Sequence, residues 1–102
     1  MAPFNHSNID QAYELINTCI IKTPLVSNDY INQITGGNIL FKLENLQITG
    51  SFKFRGASHK IAKLTESTIT NGVVAYSSGN HAQAVAYVSQ QNNISAKIVM
   101  PS

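Results

Sequence analysis

With 102 residues, 43% of them hydrophobic and only 12% charged, the chain has the size and composition of one small globular unit rather than a disordered segment. A net charge of +2 on scattered Lys and Arg gives no polybasic surface for nucleic acid or membrane, and no apolar run reaches the roughly 20 residues that span a bilayer. Cys19 is the sole cysteine, which excludes an internal disulfide and a cysteine-based metal site; the start, Met1-Ala2-Pro3-Phe4, lacks the basic and apolar segments of a signal peptide, so a cytoplasmic protein is expected.

Ser7 or Asn8 is placed to cap a first helix running to about residue 21, on which Ile9, Ala12, Tyr13, Ile16 and Ile20 recur at helical spacing. Cys19 adjoins that apolar face and reads as a packing residue. Thr23-Pro24 ends the helix, because proline disfavours helical geometry in the residue before it. Leu25-Val26 is a short strand candidate, and Ser27 caps a short helix over residues 29–34 that Gly36-Gly37 terminates. The run Asn38-Ile39-Leu40-Phe41-Lys42-Leu43 reads as a strand buried on both faces of a parallel sheet. A helix over residues 52–64 follows, with Ala57, Ile61 and Leu64 on one face. Asn71-Gly72 is a turn, and Val73-Val74-Ala75-Tyr76 is the next strand. Residues 80–90 form a helix with Ala82, Val85, Ala86 and Val88 apolar; Asn92-Asn93 breaks it, and Ala96-Lys97-Ile98-Val99-Met100 closes the pattern as a strand. The alternation predicts an α/β fold, a parallel sheet with flanking helices and right-handed crossovers.

In such sheets ligands bind outside the carboxyl ends of the strands. Residues 45–52 and 77–81 are the loops in that position, and each opens a helix whose first N–H groups are free to meet an anion. Lys53 stands out between them, in Thr49-Gly50-Ser51-Phe52-Lys53-Phe54-Arg55-Gly56-Ala57. An ammonium at a helix N-terminus meets the positive end of the macrodipole, which favours the neutral amine that attacks a carbonyl carbon. If the strands before these two loops are neighbours, Lys53 and residues 77–81 share one rim.

Other chemistries fit the residues poorly. Gly50 is followed five residues later by Arg55 where a phosphate loop needs Gly-Lys, and no G-x-G-x-x-G occurs. His6, His59 and His81 lack metal-ligand spacing, so no metal is expected, and His59 reads as an exposed helix residue. Ser77 and Ser78 lack the G-x-S-x-G setting of a nucleophilic serine. Taken alone, Ser77-Ser78-Gly79-Asn80-His81 is an ordinary capping segment with a glycine easing the turn.

The two segments together resemble the signatures of the pyridoxal-phosphate-dependent serine/threonine dehydratases. Thr49-Gly50-Ser51-Phe52-Lys53-Phe54-Arg55-Gly56-Ala57, preceded by Leu43-Glu44-Asn45-Leu46-Gln47, is similar to the family's cofactor-lysine segment. Ser77-Ser78-Gly79-Asn80-His81-Ala82-Gln83-Ala84 is similar to its second signature, one strand later, and the likeness extends to Lys22-Thr23-Pro24-Leu25 and Ile98-Val99-Met100-Pro101. The resemblance implies a fold-type-II, tryptophan synthase β-like architecture. It also implies pyridoxal 5'-phosphate as cofactor, an amino-acid substrate (threonine or serine) and a homo-oligomeric intact enzyme.

On that resemblance Lys53 would carry the cofactor and then act as the base at the substrate Cα, and Phe52 would pack beside the pyridine ring. Asn80 would hydrogen-bond the ring hydroxyl oxygen, while Ser77, Asn80 and His81 would hold the substrate carboxylate. Loss of the β-hydroxyl would yield a 2-oxo acid and ammonia. Arg55, Gly56 and Ala57 would be structural, Gly56 by permitting close helix packing. Ser78 keeps serine racemase open as an alternative, since many threonine dehydratases carry alanine there; its hydroxyl would protonate Cα on the face opposite Lys53. Family members are much longer, so residues 1–102 are expected to be the N-terminal part of a catalytic domain, inactive alone. A non-catalytic truncated remnant is the third reading.

Overall fold

The computed structural model describes residues 3–102; Met1 and Ala2, part of the stretch read above for targeting signals, lie outside the described residues. The centre of the molecule is made where the sequence pattern is strongest, by two helices and a parallel strand pair. Helix α3 (Lys53–Ala62) and helix α5 (Asn80–Gln91) bring Phe54, Ala57 and Ile61 against Ala84, Val85 and Val88, with Ile94 beneath. Ala84 has no exposed surface at all, and Phe54 meets Tyr87 edge to face at 5.8 Å between ring centroids. The strands flanking α5, Val73–Tyr76 and Ala96–Val99, pair in parallel from Val73 opposite Ala96 to Tyr76 opposite Val99. This is the strand–helix–strand unit that the alternating pattern predicts. Gly72, which leads into it, is held at φ +79, and a Cβ there would sit 2.6 Å from the Ser95 carbonyl oxygen. Ala57, Ile61, Ala82, Val85 and Val88 are buried as their spacing predicts, Leu64 is half-buried, and Ala86 is exposed.

The amino-terminal half differs from the sequence expectation in several places. Helix α1 (His6–Ile16) begins two or three residues earlier than expected, because Asn5 is the cap and Asn8 answers it: each side-chain oxygen accepts from the other's backbone N–H. It also stops at Ile16 with Asn17 as its C-cap, so Thr23-Pro24 does not end it. Of its apolar face only Ile16 is buried, and Cys19 is exposed rather than packed, its Sγ 3.1 Å from the Ile16 carbonyl oxygen. Helix α2 (Asp29–Thr35) is capped by Asn28, not Ser27, and ends as expected on Gly36 at φ +68.

Strand β1 (Leu25–Ser27) pairs antiparallel with β2 (Leu40–Lys42), and all six of their residues are exposed. The apolar run over residues 38–43 is therefore not a buried central strand next to β3 (Val73–Tyr76) and β4 (Ala96–Val99). The two strand pairs form separate two-stranded sheets. Helix α4 (Glu66–Asn71), capped by Thr65, was not expected; Ile69 is its only apolar side chain, too little for a periodic signal. The radius of gyration, 16.6 Å, exceeds the ~13 Å of a close-packed domain of this length, in keeping with the exposed ribbon and α1.

Candidate functional site

Between β2 and α3 the chain makes two 3₁₀ turns, Glu44–Leu46 and Ile48–Gly50. Thr49 and Gly50 both adopt positive φ, at +64° and +75°, and this swings the backbone round to start α3 at Lys53. A β-branched residue in the left-handed region costs about 1–3 kcal/mol, a strain that collects at functional loops. Thr49 also keeps its buried Oγ1 without a hydrogen-bond partner. Sequence reasoning passed over Thr49, and nothing in its residue type announces the conformation.

Lys53 is the first residue of α3 and is exposed, its Nζ 5.2 Å from the centroid of the Phe52 ring. Phe52, the residue before it, is 61% exposed. Both line a cleft of about 870 Å³ between α3, β3 and α5, together with Gly56, Lys60, Lys63 and His81. Gly56 is exposed there and a Cβ would meet nothing within 4 Å, so it leaves the wall of the cleft low rather than permitting close helix packing. Ala57 is buried in the α3–α5 contact, and Arg55 is held in an ion pair with Glu44. His59 is half-buried rather than exposed.

Lys53 and His81 share one cleft, although the strand adjacency on which a shared rim was expected is absent and His81 alone of residues 77–81 lines it. β2 and β3 are not paired, and the packing of α3 on α5 brings the two loops together. Ser77 is half-buried after β3: its N–H donates to the Val99 carbonyl at 3.0 Å, and its Oγ accepts from the Gly79 N–H at 3.3 Å. Ser78 and Asn80 are exposed, and neither side chain makes a hydrogen bond among the described residues. Ser77, Ser78 and Asn80 lie beside the cleft in the chain without lining it. The residue that caps α5 is Gly79, with no side-chain cap, so the serines and Asn80 do not serve as capping groups for that helix. Its first N–H groups are left for another acceptor.

The cleft wall carries three lysines and a histidine and, among the described residues, no carboxylate. With an uncapped helix start beside it, that donor set suits an anionic ligand. Phe52 adds an exposed aromatic face for a planar ring. A phosphorylated pyridine aldehyde fits these residues: an amine to attack its carbonyl, a ring to pack on, and cationic groups for its phosphate or a substrate carboxylate.

Two residues after Lys53, Arg55 anchors a network that sequence reasoning did not find. Arg55 forks onto Glu44, Nε to Oε2 and Nη2 to Oε1, both at 2.8 Å. Thr23 Oγ1 donates to Glu44 Oε1 at 2.6 Å, and Gln47 Nε2 approaches Glu44 Oε2 at 3.5 Å. The Gln47 amide also pairs with Ile21 at both ends, accepting its N–H at 2.9 Å and donating to its carbonyl at 2.8 Å. The Arg55 guanidinium holds the Glu44 carboxyl down at about 2, with help from Thr23 and Gln47 and against the opposing effect of burial. The pair in turn raises Arg55. One signal in the sequence could have found it: Arg55 sits in the first turn of a helix, where a cation is unfavourable unless an anion meets it.

Among the described residues no helix is long and apolar enough to cross a membrane. Residues 16–102 match the family model described as pyridoxal-phosphate dependent enzyme. A relative named L-threonine dehydratase catabolic TdcB, from Staphylococcus aureus (strain USA300), is 50% identical over 95 residues, covering 92% of this chain and 28% of that protein. Serine racemase from Dictyostelium discoideum is 44% identical over 101 residues, 99% of this chain and 31% of its own length. Its crystal structure superimposes with a TM-score of 0.88 over 94% of this chain and 32% of that one. The threonine deaminase of T.th. gives a TM-score of 0.82 at 39% identity, over 96% of this chain and 31% of that one. The chain thus spans about three-tenths of the length of these relatives. By its sequence match, its α/β fold and its likeness to these structures, the chain belongs to the pyridoxal-phosphate-dependent enzyme family.

Proposed function

We propose that the chain is the lysine-bearing part of a threonine/serine dehydratase, an ammonia-lyase that removes the β-hydroxyl to give a 2-oxo acid and ammonia. The observation that carries the proposal is the cleft shared by Phe52, Lys53 and His81, cationic and free of carboxylates among the described residues, beside an uncapped α5. Residues 1–102 are the amino-terminal portion of the catalytic domain in this reading, and the intact enzyme is a homo-oligomer. Bound there, pyridoxal 5'-phosphate supplies an electron sink for charge that develops at the substrate Cα. Lys53 Nζ would carry the cofactor and, once displaced by the substrate amine, would take the Cα proton. Phe52 would pack beside the ring, and the Asn80 amide would hydrogen-bond the ring hydroxyl oxygen. Ser77, Asn80, His81 and the first N–H groups of α5 hold the substrate carboxylate. Because Phe52 and Lys53 are open to water in this chain, the chain alone is expected to release no 2-oxo acid from threonine.

Serine racemase is the second reading, and Ser78 favours it: its hydroxyl is exposed and not committed to a cap. The test is a chimera in which residues 3–102 replace the matching segment of the Staphylococcus aureus dehydratase. Formation of 2-oxobutanoate and ammonia from L-threonine, lost on Lys53→Ala, supports the lyase. A chimera that is folded and loaded with cofactor but forms D-serine without 2-oxo acid overturns it, and Ser78→Ala should then abolish that D-serine.

A further inference from the structure

We infer that the Glu44–Arg55 ion pair, braced by Thr23 and Gln47, is a positioning device for Lys53. It fixes the rotation of the first turn of α3 so that the lysine amine projects into the cleft. The inference rests on the reading of Lys53 as the cofactor-bearing residue.

Helical geometry supplies the link. Two residues apart on an α-helix are roughly 200° apart around its axis, so Lys53 and Arg55 point in nearly opposite directions. The cleft is lined by the stripe Lys53, Gly56, Ala57, Lys60, Ile61 and Leu64, at the spacing of one face. Arg55 lies off that stripe and reaches back to Glu44, with Nη2 a further 3.4 Å from the Ile21 carbonyl. A forked guanidinium–carboxylate pair restrains both distance and orientation. Glu44 cannot easily follow Arg55, since Thr23 and Gln47 hold it, and Gln47 is anchored at two points on Ile21. The pair thus pins one side of the first turn of α3 to the segment joining α1 to β1.

Charge placement makes a purely structural role a poor explanation. Helices α2 and α4 carry an acid in the first turn, Asp29 and Glu66, which complements the macrodipole. Helix α3 carries no acid there, but has cations at Lys53 and Arg55. A helix selected for stability alone would not start this way. Glu44, 15% exposed, supplies from outside the helix the negative charge its first turn lacks.

Lys60 provides an internal reference, because it is exposed and lines the same cleft two turns further along α3. The chain is incubated with pyridoxal 5'-phosphate and reduced with borohydride, and modification of Lys53 and Lys60 is quantified by peptide mass spectrometry. Circular dichroism monitors the helices. The parent chain is expected to favour Lys53 over Lys60. Arg55→Lys keeps the charge but loses the fork, and Glu44→Gln keeps the shape but loses the charge. Both should lower the Lys53-to-Lys60 ratio by about tenfold while the helix signal and Lys60 modification stay unchanged. The exchanged pair Glu44→Arg/Arg55→Glu should recover part of the ratio. An unchanged ratio in Arg55→Lys with intact helices overturns the inference. So does a parallel fall at both lysines, or loss of the helix signal in all three variants, since either makes the pair structural only. A parent chain without preference for Lys53 fails at the earlier step, the assignment of the lysine itself.

Discussion

Among the described residues, three α-helices open on a capping side chain and two do not. Asn5, Asn28 and Thr65 each accept a backbone N–H in the first turn of α1, α2 and α4. Helices α3 and α5, which carry Lys53, Asn80 and His81, start on Phe52 and Gly79 with no side-chain cap. Each cap is worth about 1 kcal/mol, so both site helices forgo a common stabilisation. What replaces it differs between them. Beside α3 the chain places Glu44, reached through Arg55, and the Ser51 hydroxyl, which accepts the Lys53 N–H at 3.4 Å; at α5 the Ser77 hydroxyl meets only the Gly79 N–H, and the N–H groups of the first turn remain open to an anion. The two site helices thus begin differently from the other three and from each other.

The greatest change should come from breaking the substitute at α3. The Glu44 carboxyl lies at about 2 in the folded chain against an ordinary 4.5, so the folded state binds fewer protons than the unfolded state between those values. Its contribution, about 2 kcal/mol once solvent screening of the pair is allowed for, is present above pH 4.5 and is lost as the pH falls toward 2. Urea midpoints measured across that window should fall steeply in the parent and much less in Glu44→Gln. Equal acid sensitivity in both would assign the loss to other carboxylates.

A true cap gives the next effect. Asn5→Ala should cost about 1 kcal/mol in the same measurement, with no change in the labelling of Lys53. The slightest change comes from adding a cap where none exists. Gly79→Ser meets no neighbour within 4 Å of its Cβ and should stabilise by a few tenths of a kcal/mol, while weakening retention of an anionic ligand at α5. A Gly79→Ser chain that binds inorganic phosphate or a substrate carboxylate as well as the parent would remove the functional meaning of the open start.

How much of this was legible depends on how local the cause is. Helix α5 and the strands around it declared themselves because Ala82, Val85 and Val88 keep a strict helical period between turn residues, and all three are buried. The run over residues 38–43 misled because an apolar strand reads the same whether neighbours cover it or not. Leu40 and Phe41 are exposed here on an antiparallel ribbon. Helix α4 was invisible with a single apolar side chain, and the cap at Asn5 was missed because Ser7 and Asn8 offered equally good capping chemistry closer to the apolar face. At the site, Lys53, Phe52 and His81 were legible as residues, and the structure brings these three into one cleft. The ion pair was not legible, since Glu44 lies 11 residues from Arg55 and 21 from Thr23, and only the fold brings them together. The positive φ of Thr49 was beyond reach for the same reason: it is imposed by the joining of two turns, not by threonine.

The site of reductive attachment is the decisive observation. Pyridoxal 5'-phosphate added to the parent chain and fixed with borohydride should be recovered on the peptide containing Lys53, in clear excess over those containing Lys60 and the other lysines. Recovery spread evenly over the lysines, or concentrated at one other than Lys53, would contradict the assignment of Lys53 as the cofactor-bearing residue.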